Sequence, residues 1–116
     1  PLEDGRRVYE AVADAYLQWG RPDNLMVVAG ATRPEALGAL RDRMPDTFFL
    51  VPGVGAQGGS AEDVVRHGAF RGKPGMGLLI NASRSIMYAS NGSNWREAAT
   101  QSAEALAAEI TQAYRG

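Results

Sequence analysis

Two short segments of the chain carry residues that can hold an anion. The first, residues 52–59, is rich in glycine, and Gln57 is its only side chain with both a hydrogen-bond donor and an acceptor. The second is Ser83-Arg84-Ser85, in which Arg84 can bind a phosphate through two parallel N–H bonds. Backbone N–H groups near Ser83 can add to such a site. These residues predict a binding site for one phosphate group.

Each of these segments follows a short apolar run that predicts a β-strand. The three predicted strands are residues 25–29, 48–51 and 77–81. Helical patterns cover residues from about 4 to 19, 32 to 45, 60 to 67 and 95 to 114. The order α-βα-βα-βα predicts a parallel α/β fold. Because parallel strands end at one edge of a sheet, Gln57 and Arg84 are expected to converge there.

Details of these elements carry further expectations. The strand at 25–29 is apolar throughout, so we expect it to be covered on both faces. Capping pairs are expected where helices begin, namely Thr32 with Glu35, Ser60 with Asp63 and Asn94 with Glu97.

Two architectures fit this order of elements, a (β/α)8 barrel and a small doubly wound sheet. A barrel takes about 250 residues, whereas this chain has 116. Three parallel strands cannot close a barrel and would leave strand edges exposed, so we expect that an N-terminal portion is missing. In barrels, the loops after strands seven and eight commonly bind phosphate.

Composition excludes several other kinds of function. The net charge of −1 argues against nucleic-acid or membrane partners, and the lack of cysteine excludes disulfides and thiolate metal sites. The single histidine, His67, makes a histidine metal site or a Ser-His-Asp triad improbable. Lys73, the only lysine, lies in a polar loop flanked by glycine and proline, which does not favour a catalytic role. We expect a cytoplasmic protein without a metal site.

Two alternatives to the phosphate site remain open. Residues 53–58 match G-x-G-x-x-G, which is typical of a nicotinamide-dinucleotide-binding oxidoreductase, but the acidic residue expected about 20 positions later is absent. A second alternative is a non-catalytic fragment that associates with itself or with a partner chain.

A known family shares these motifs. Residues 49–59 resemble the strand-seven phosphate loop of the orotidine 5′-phosphate decarboxylases, and residues 81–89 resemble their strand-eight phosphate segment. Residues 28–35 look like their strand six and the following helix. The likeness is greatest to the longer bacterial branch and covers most of the chain in order.

The resemblance implies decarboxylation of orotidine 5′-monophosphate to UMP in pyrimidine biosynthesis, with no cofactor. It implies a homodimeric (β/α)8 TIM barrel, of which residues 1–116 are the C-terminal segment, with about three βα units and a leading helix. The Asp/Lys catalytic network of the family lies on earlier strands, so this segment is expected to hold no catalytic residues and to need the N-terminal part of the barrel. The substrate-binding residues that it implies are the phosphate ligands Gln57 and Arg84, backbone N–H groups at Ser83, the adjacent Gly55 of the phosphate loop, and the pyrimidine-pocket residues Pro52 and Val54.

Overall fold

The computed structural model describes residues 1–55 and 58–116 of the chain. It contains five helices and three strands in this described part, and apart from one additional short helix after the third strand they follow the order that the sequence predicts. In chain order they are α1 Val8–Trp19, β1 Met26–Val28, α2 Pro34–Arg43, β2 Phe48–Pro52, α3 Ala61–Gly68, β3 Leu78–Asn81, α4 Arg84–Met87 and α5 Trp95–Arg115.

The three strands form one parallel sheet in the order β1-β2-β3. Val28 pairs with Leu50 and Leu50 with Leu79, while Pro52 at the end of β2 pairs with Asn81 at the end of β3. The parallel α/β fold is therefore confirmed, and all three strands end at the same edge.

The two faces of the sheet differ in burial. The helices cover one face, on which Phe49 and Val51 are fully buried within a core that includes Leu37, Met44 and Val64. Side chains alternate along each strand, so the remaining positions form the other face. We call this the open face; its members are Met26, Val28, Phe48, Leu50, Pro52, Leu79 and Asn81.

The expectation that the first strand is covered on both faces is wrong for this chain. Met26 is 50% exposed and Val28 is 70% exposed. Both lie on the open face, and β1 is an edge strand of the described sheet. Their apolar character thus corresponds to a surface that nothing in the described chain covers.

Helix starts follow the predicted caps only in part. The Ser60 cap is confirmed, because its hydroxyl accepts a hydrogen bond from the Asp63 N–H at 3.3 Å. The pair Thr32–Glu35 is wrong, since Arg33 is the N-cap residue of α2 and makes no side-chain cap bond. Asn94 is the N-cap residue of α5, as predicted, but it makes no side-chain cap bond, and its side-chain oxygen accepts from the Ser90 hydroxyl at 2.7 Å instead.

Helix α1 begins at Val8, later than predicted, because the preceding residues form a turn. Gly5 has φ +83°, and the Asp4 carboxylate accepts from the Arg6 N–H at 3.0 Å. Asp14 then joins α1 to α2, since Arg43 donates to both of its oxygens at 2.9 and 3.0 Å. Arg6 also donates to Asp14 at 2.8 Å, and this hydrogen bond, together with those from Arg43, holds the pKa of the Asp14 carboxyl below its ordinary value.

A buried arginine ties the amino ends of β2 and β3 together. The guanidinium of Arg41 donates to the carbonyls of Gly68, Met44 and Thr47 at 2.7 Å each and to that of Gly77 at 3.1 Å. Burial lowers the pKa of Arg41 to about 10. The guanidinium remains charged at neutral pH, and main-chain carbonyls take the place of water around it.

Candidate phosphate-binding site

The two segments singled out in the sequence leave the sheet side by side. Pro52 and Asn81 are register partners at the ends of β2 and β3, and both loops start there. Neighbouring strands lie about 4.8 Å apart, so the glycine-rich loop and residues 83–85 begin within one strand spacing of each other. The sheet thus supplies the adjacency that the predicted site requires.

The glycine-rich loop has a backbone that only glycine adopts readily. Gly53, Gly55 and Gly58 have φ values of +90°, +80° and +86°. The Gly55 N–H donates to the Gly59 carbonyl at 2.8 Å, and the Gly59 N–H donates to the Gly53 carbonyl at 3.3 Å. Main-chain hydrogen bonds thus join the described residues of this loop to one another.

The loop rests on the segment that follows β1. A Cβ atom added to Gly59 would lie 2.5 Å from the Ala31 Cβ, and Ala31 is 1% exposed. The Ala31 N–H also donates to the Pro52 carbonyl at 3.2 Å. Sequence reasoning missed this support, because no local pattern reveals that residues 31 and 59 touch.

The predicted substrate-binding residues are placed differently with respect to solvent. Gly55, Ser83 and Arg84 are exposed and Pro52 is half-buried, whereas Val54 is 3% exposed and belongs to the core. Gln57 lies outside the described residues, so its convergence with Arg84 stays a prediction.

Arg84 opens a short helix that the sequence patterns do not predict. Helix α4, Arg84–Met87, forms as the N–H groups of Ile86 and Met87 donate to the Ser83 carbonyl. The Ser102 hydroxyl of α5 donates to the Ser85 carbonyl at 2.8 Å, which attaches α4 to the long last helix. A four-residue helix is too short to give a detectable periodicity.

The electrostatics of this edge favour an anion. The ion pairs in residues 1–55 and 58–116 lie elsewhere, so no carboxylate in this part of the chain neutralises Arg84. The described residues were also compared with the requirements of a metal site and of a membrane span. No group of three potential metal ligands occurs among them. In the same part of the chain, no helix is long and apolar enough to span a membrane.

Comparison with known proteins identifies relatives along nearly the whole chain. The orotidine 5′-phosphate decarboxylase of Christiangramia forsetii is 46% identical over 101 residues, which is 87% of this chain and 36% of that protein. That of Roseiflexus castenholzii is 43% identical over 115 residues, 98% of this chain and 42% of that protein. The chain thus spans about two fifths of the length of these relatives. No family model matches it.

Solved structures give the same result for the fold. Leishmania donovani UMP synthase is 41% identical with a TM-score of 0.70, covering 92% of this chain and 23% of that one. Leishmania donovani OMP decarboxylase is 36% identical with a TM-score of 0.68, covering 91% and 40%. A partial (β/α)8 barrel is therefore confirmed, and these relatives do not support the nicotinamide alternative. The chain is thus homologous, along about nine tenths of its length, to the C-terminal part of the orotidine 5′-phosphate decarboxylases.

Proposed function

We propose that this chain supplies the phosphate-binding part of an enzyme that decarboxylates orotidine 5′-monophosphate to UMP. The observation that carries the proposal is the shared origin of the two loops at Pro52 and Asn81, with Arg84 exposed beside them. This arrangement presents one unneutralised guanidinium next to a glycine turn at the carboxyl edge of the sheet. That edge is where barrels of this class bind their ligands.

The proposed division of roles follows from side-chain chemistry and exposure. Arg84 and Gln57 bind the phosphate dianion, and backbone N–H groups at Ser83 add donors to it. Gly55 lets the loop approach the phosphate closely. Pro52 lines the pyrimidine pocket; the buried Val54 shapes it from beneath the loop.

The residues that bind the phosphate would contribute to the rate of decarboxylation although they touch no reacting atom. Binding energy from a remote group can be used to hold the reacting part of a substrate against its catalytic residues. The only lysine, Lys73, is exposed in the segment that leads into the amino end of β3, opposite the binding loops. The Asp/Lys chemistry therefore has to come from the remainder of the barrel.

The same proposal defines the partners of the chain. Both edge strands, β1 and β3, have one unpaired edge in the described sheet, and the open face is apolar. We propose that residues 1–116 are part of a single TIM-barrel domain that the N-terminal portion completes. A homodimer in the cytoplasm is part of this proposal.

Ligand binding by a completed barrel tests the proposal. The chain is fused behind the N-terminal portion of the Christiangramia forsetii relative, and calorimetry compares UMP with uridine. UMP should bind more tightly than uridine. Arg84→Ala should make the free energy of UMP binding less favourable by about 1.5–3 kcal/mol, the range for a hydrogen bond to a charged group. Arg21→Ala is the matched control, because Arg21 is an exposed arginine that precedes β1 at the other end of the sheet.

Equal affinity for UMP and uridine would contradict the phosphate site. If the fused protein also fails to release CO₂ from orotidine 5′-monophosphate, the proposed decarboxylase activity is contradicted as well. Self-association of the isolated chain without nucleotide binding would instead favour the non-catalytic alternative.

A further inference from the structure

The open face contains one polar side chain, and this residue is not among the predicted ligands. Asn81 is the last residue of β3 and is exposed. The other members of the open face are apolar, including Leu79 two residues earlier on the same strand. A carboxamide thus lies at the carboxyl end of an otherwise apolar surface.

Among the described residues, the Asn81 side chain has no hydrogen-bond partner. Its neighbour across the strand pair is Pro52, whose ring carries neither donor nor acceptor. In a closed barrel, this face turns inward. A carboxamide enclosed there without a partner is unfavourable, so a partner outside β1, β2 and β3 is required.

We propose that Asn81 hydrogen-bonds the pyrimidine base of the nucleotide whose phosphate is bound at Arg84, and so determines specificity for the base. This inference rests on the proposed function. Asn81 is suited to this role because it is in direct register with Pro52, which the proposed function assigns to the pyrimidine pocket. A carboxamide presents one N–H donor group beside one carbonyl acceptor, and the imide edge of a pyrimidine presents the complementary pair.

Comparing the affinities for UMP and for ribose 5-phosphate isolates the contribution of the base, which ribose 5-phosphate lacks. In the fused protein, Asn81→Leu, which has nearly the same volume, should weaken UMP binding about tenfold or more. Its affinity for ribose 5-phosphate should stay within about twofold, because that ligand has a phosphate and a pentose but no base. Asn91→Leu is the control for the substitution itself, since Asn91 is exposed and lies outside the sheet.

The affinities of the Asn81 variants for the two ligands decide whether Asn81 recognises the base. Unchanged UMP affinity, or an equal loss for both ligands, would overturn the role of Asn81 in reading the base. If Asn81→Leu does not fold, as judged by its urea unfolding midpoint, the same comparison is made with Asn81→Gln, which keeps the carboxamide but moves it by one methylene. Asn81→Gln should bind UMP more weakly and ribose 5-phosphate as the unsubstituted protein does, and an unchanged affinity for UMP in this variant would overturn the assignment. Failure of the unsubstituted fused protein to bind UMP would contradict the proposed function rather than the assignment of Asn81.

Discussion

The guanidinium carbon of Arg41 lies 3.9 Å from the centre of the Phe49 ring, and both side chains are fully buried. The ring covers the flat face of the guanidinium while main-chain carbonyls surround its N–H groups. The cation is therefore satisfied without a carboxylate. It joins the ends of two helices to the starts of two strands.

Replacing Arg41 by methionine should destabilise the fold. The substitution leaves the carbonyls of Gly68, Met44, Thr47 and Gly77 without their donor, and a loss of about 3–5 kcal/mol is expected, as for a broken buried polar network. Urea unfolding of the fused protein measures it. Arg21→Met, an exposed counterpart, should change the midpoint little, and equal effects of the two substitutions would contradict this role for Arg41.

Acid should loosen the attachment of α1 to α2. Arg6 and Arg43 lower the pKa of Asp14 from 3.8, so the carboxylate stabilises the folded state above that value. The stabilisation is lost as pH falls through the lowered pKa, because protonation removes the ion pairs. Urea midpoints of the unsubstituted protein and Asp14→Asn should differ at pH 6 and approach each other near pH 2. A constant difference would count against the pairing.

Gly59→Ala should distort the phosphate loop. Its added methyl group would lie 2.5 Å from the Ala31 Cβ, and moving the packed segment aside costs about 1–3 kcal/mol. Both the unfolding midpoint and the affinity for UMP should fall. Gly30→Ala is the matched control, because nothing lies within 4 Å of its added Cβ. Comparable losses in the two variants would show that the contact with Ala31 is not the cause.

Ser102→Ala should release α4 from α5. The variant loses the 2.8 Å hydrogen bond to the Ser85 carbonyl, which is worth about 0.5–1.5 kcal/mol. Because α4 begins at Arg84, faster amide hydrogen exchange at residues 84–88 and weaker UMP binding are expected together. Thr111→Ala serves for comparison, since its hydroxyl bonds only to the Ala107 carbonyl of its own helix. Unchanged exchange in Ser102→Ala would remove the argument for this anchor.

The sequence predicts the elements of the fold well and their contacts poorly. A short apolar run identifies β2 and the cap at Ser60 identifies the start of α3, because these signals are local. The exposure of Val28 depends on which segment lies beside β1, and no local pattern records that. For the site, chemistry and spacing indicate Arg84, whereas the support of Gly59 by Ala31 arises from two segments that only the folded chain brings together.

The Arg41 cluster also bears on how the two ends of this sheet can change over time. At the amino ends, the guanidinium binds carbonyl oxygens, so these hydrogen bonds depend on the side chain of Arg41 and on the main chain of its partners. At the carboxyl ends, the loops carry their chemistry in particular side chains. New ligand preferences can therefore arise by substitution at the loops without disturbing the anchor that keeps the strands aligned.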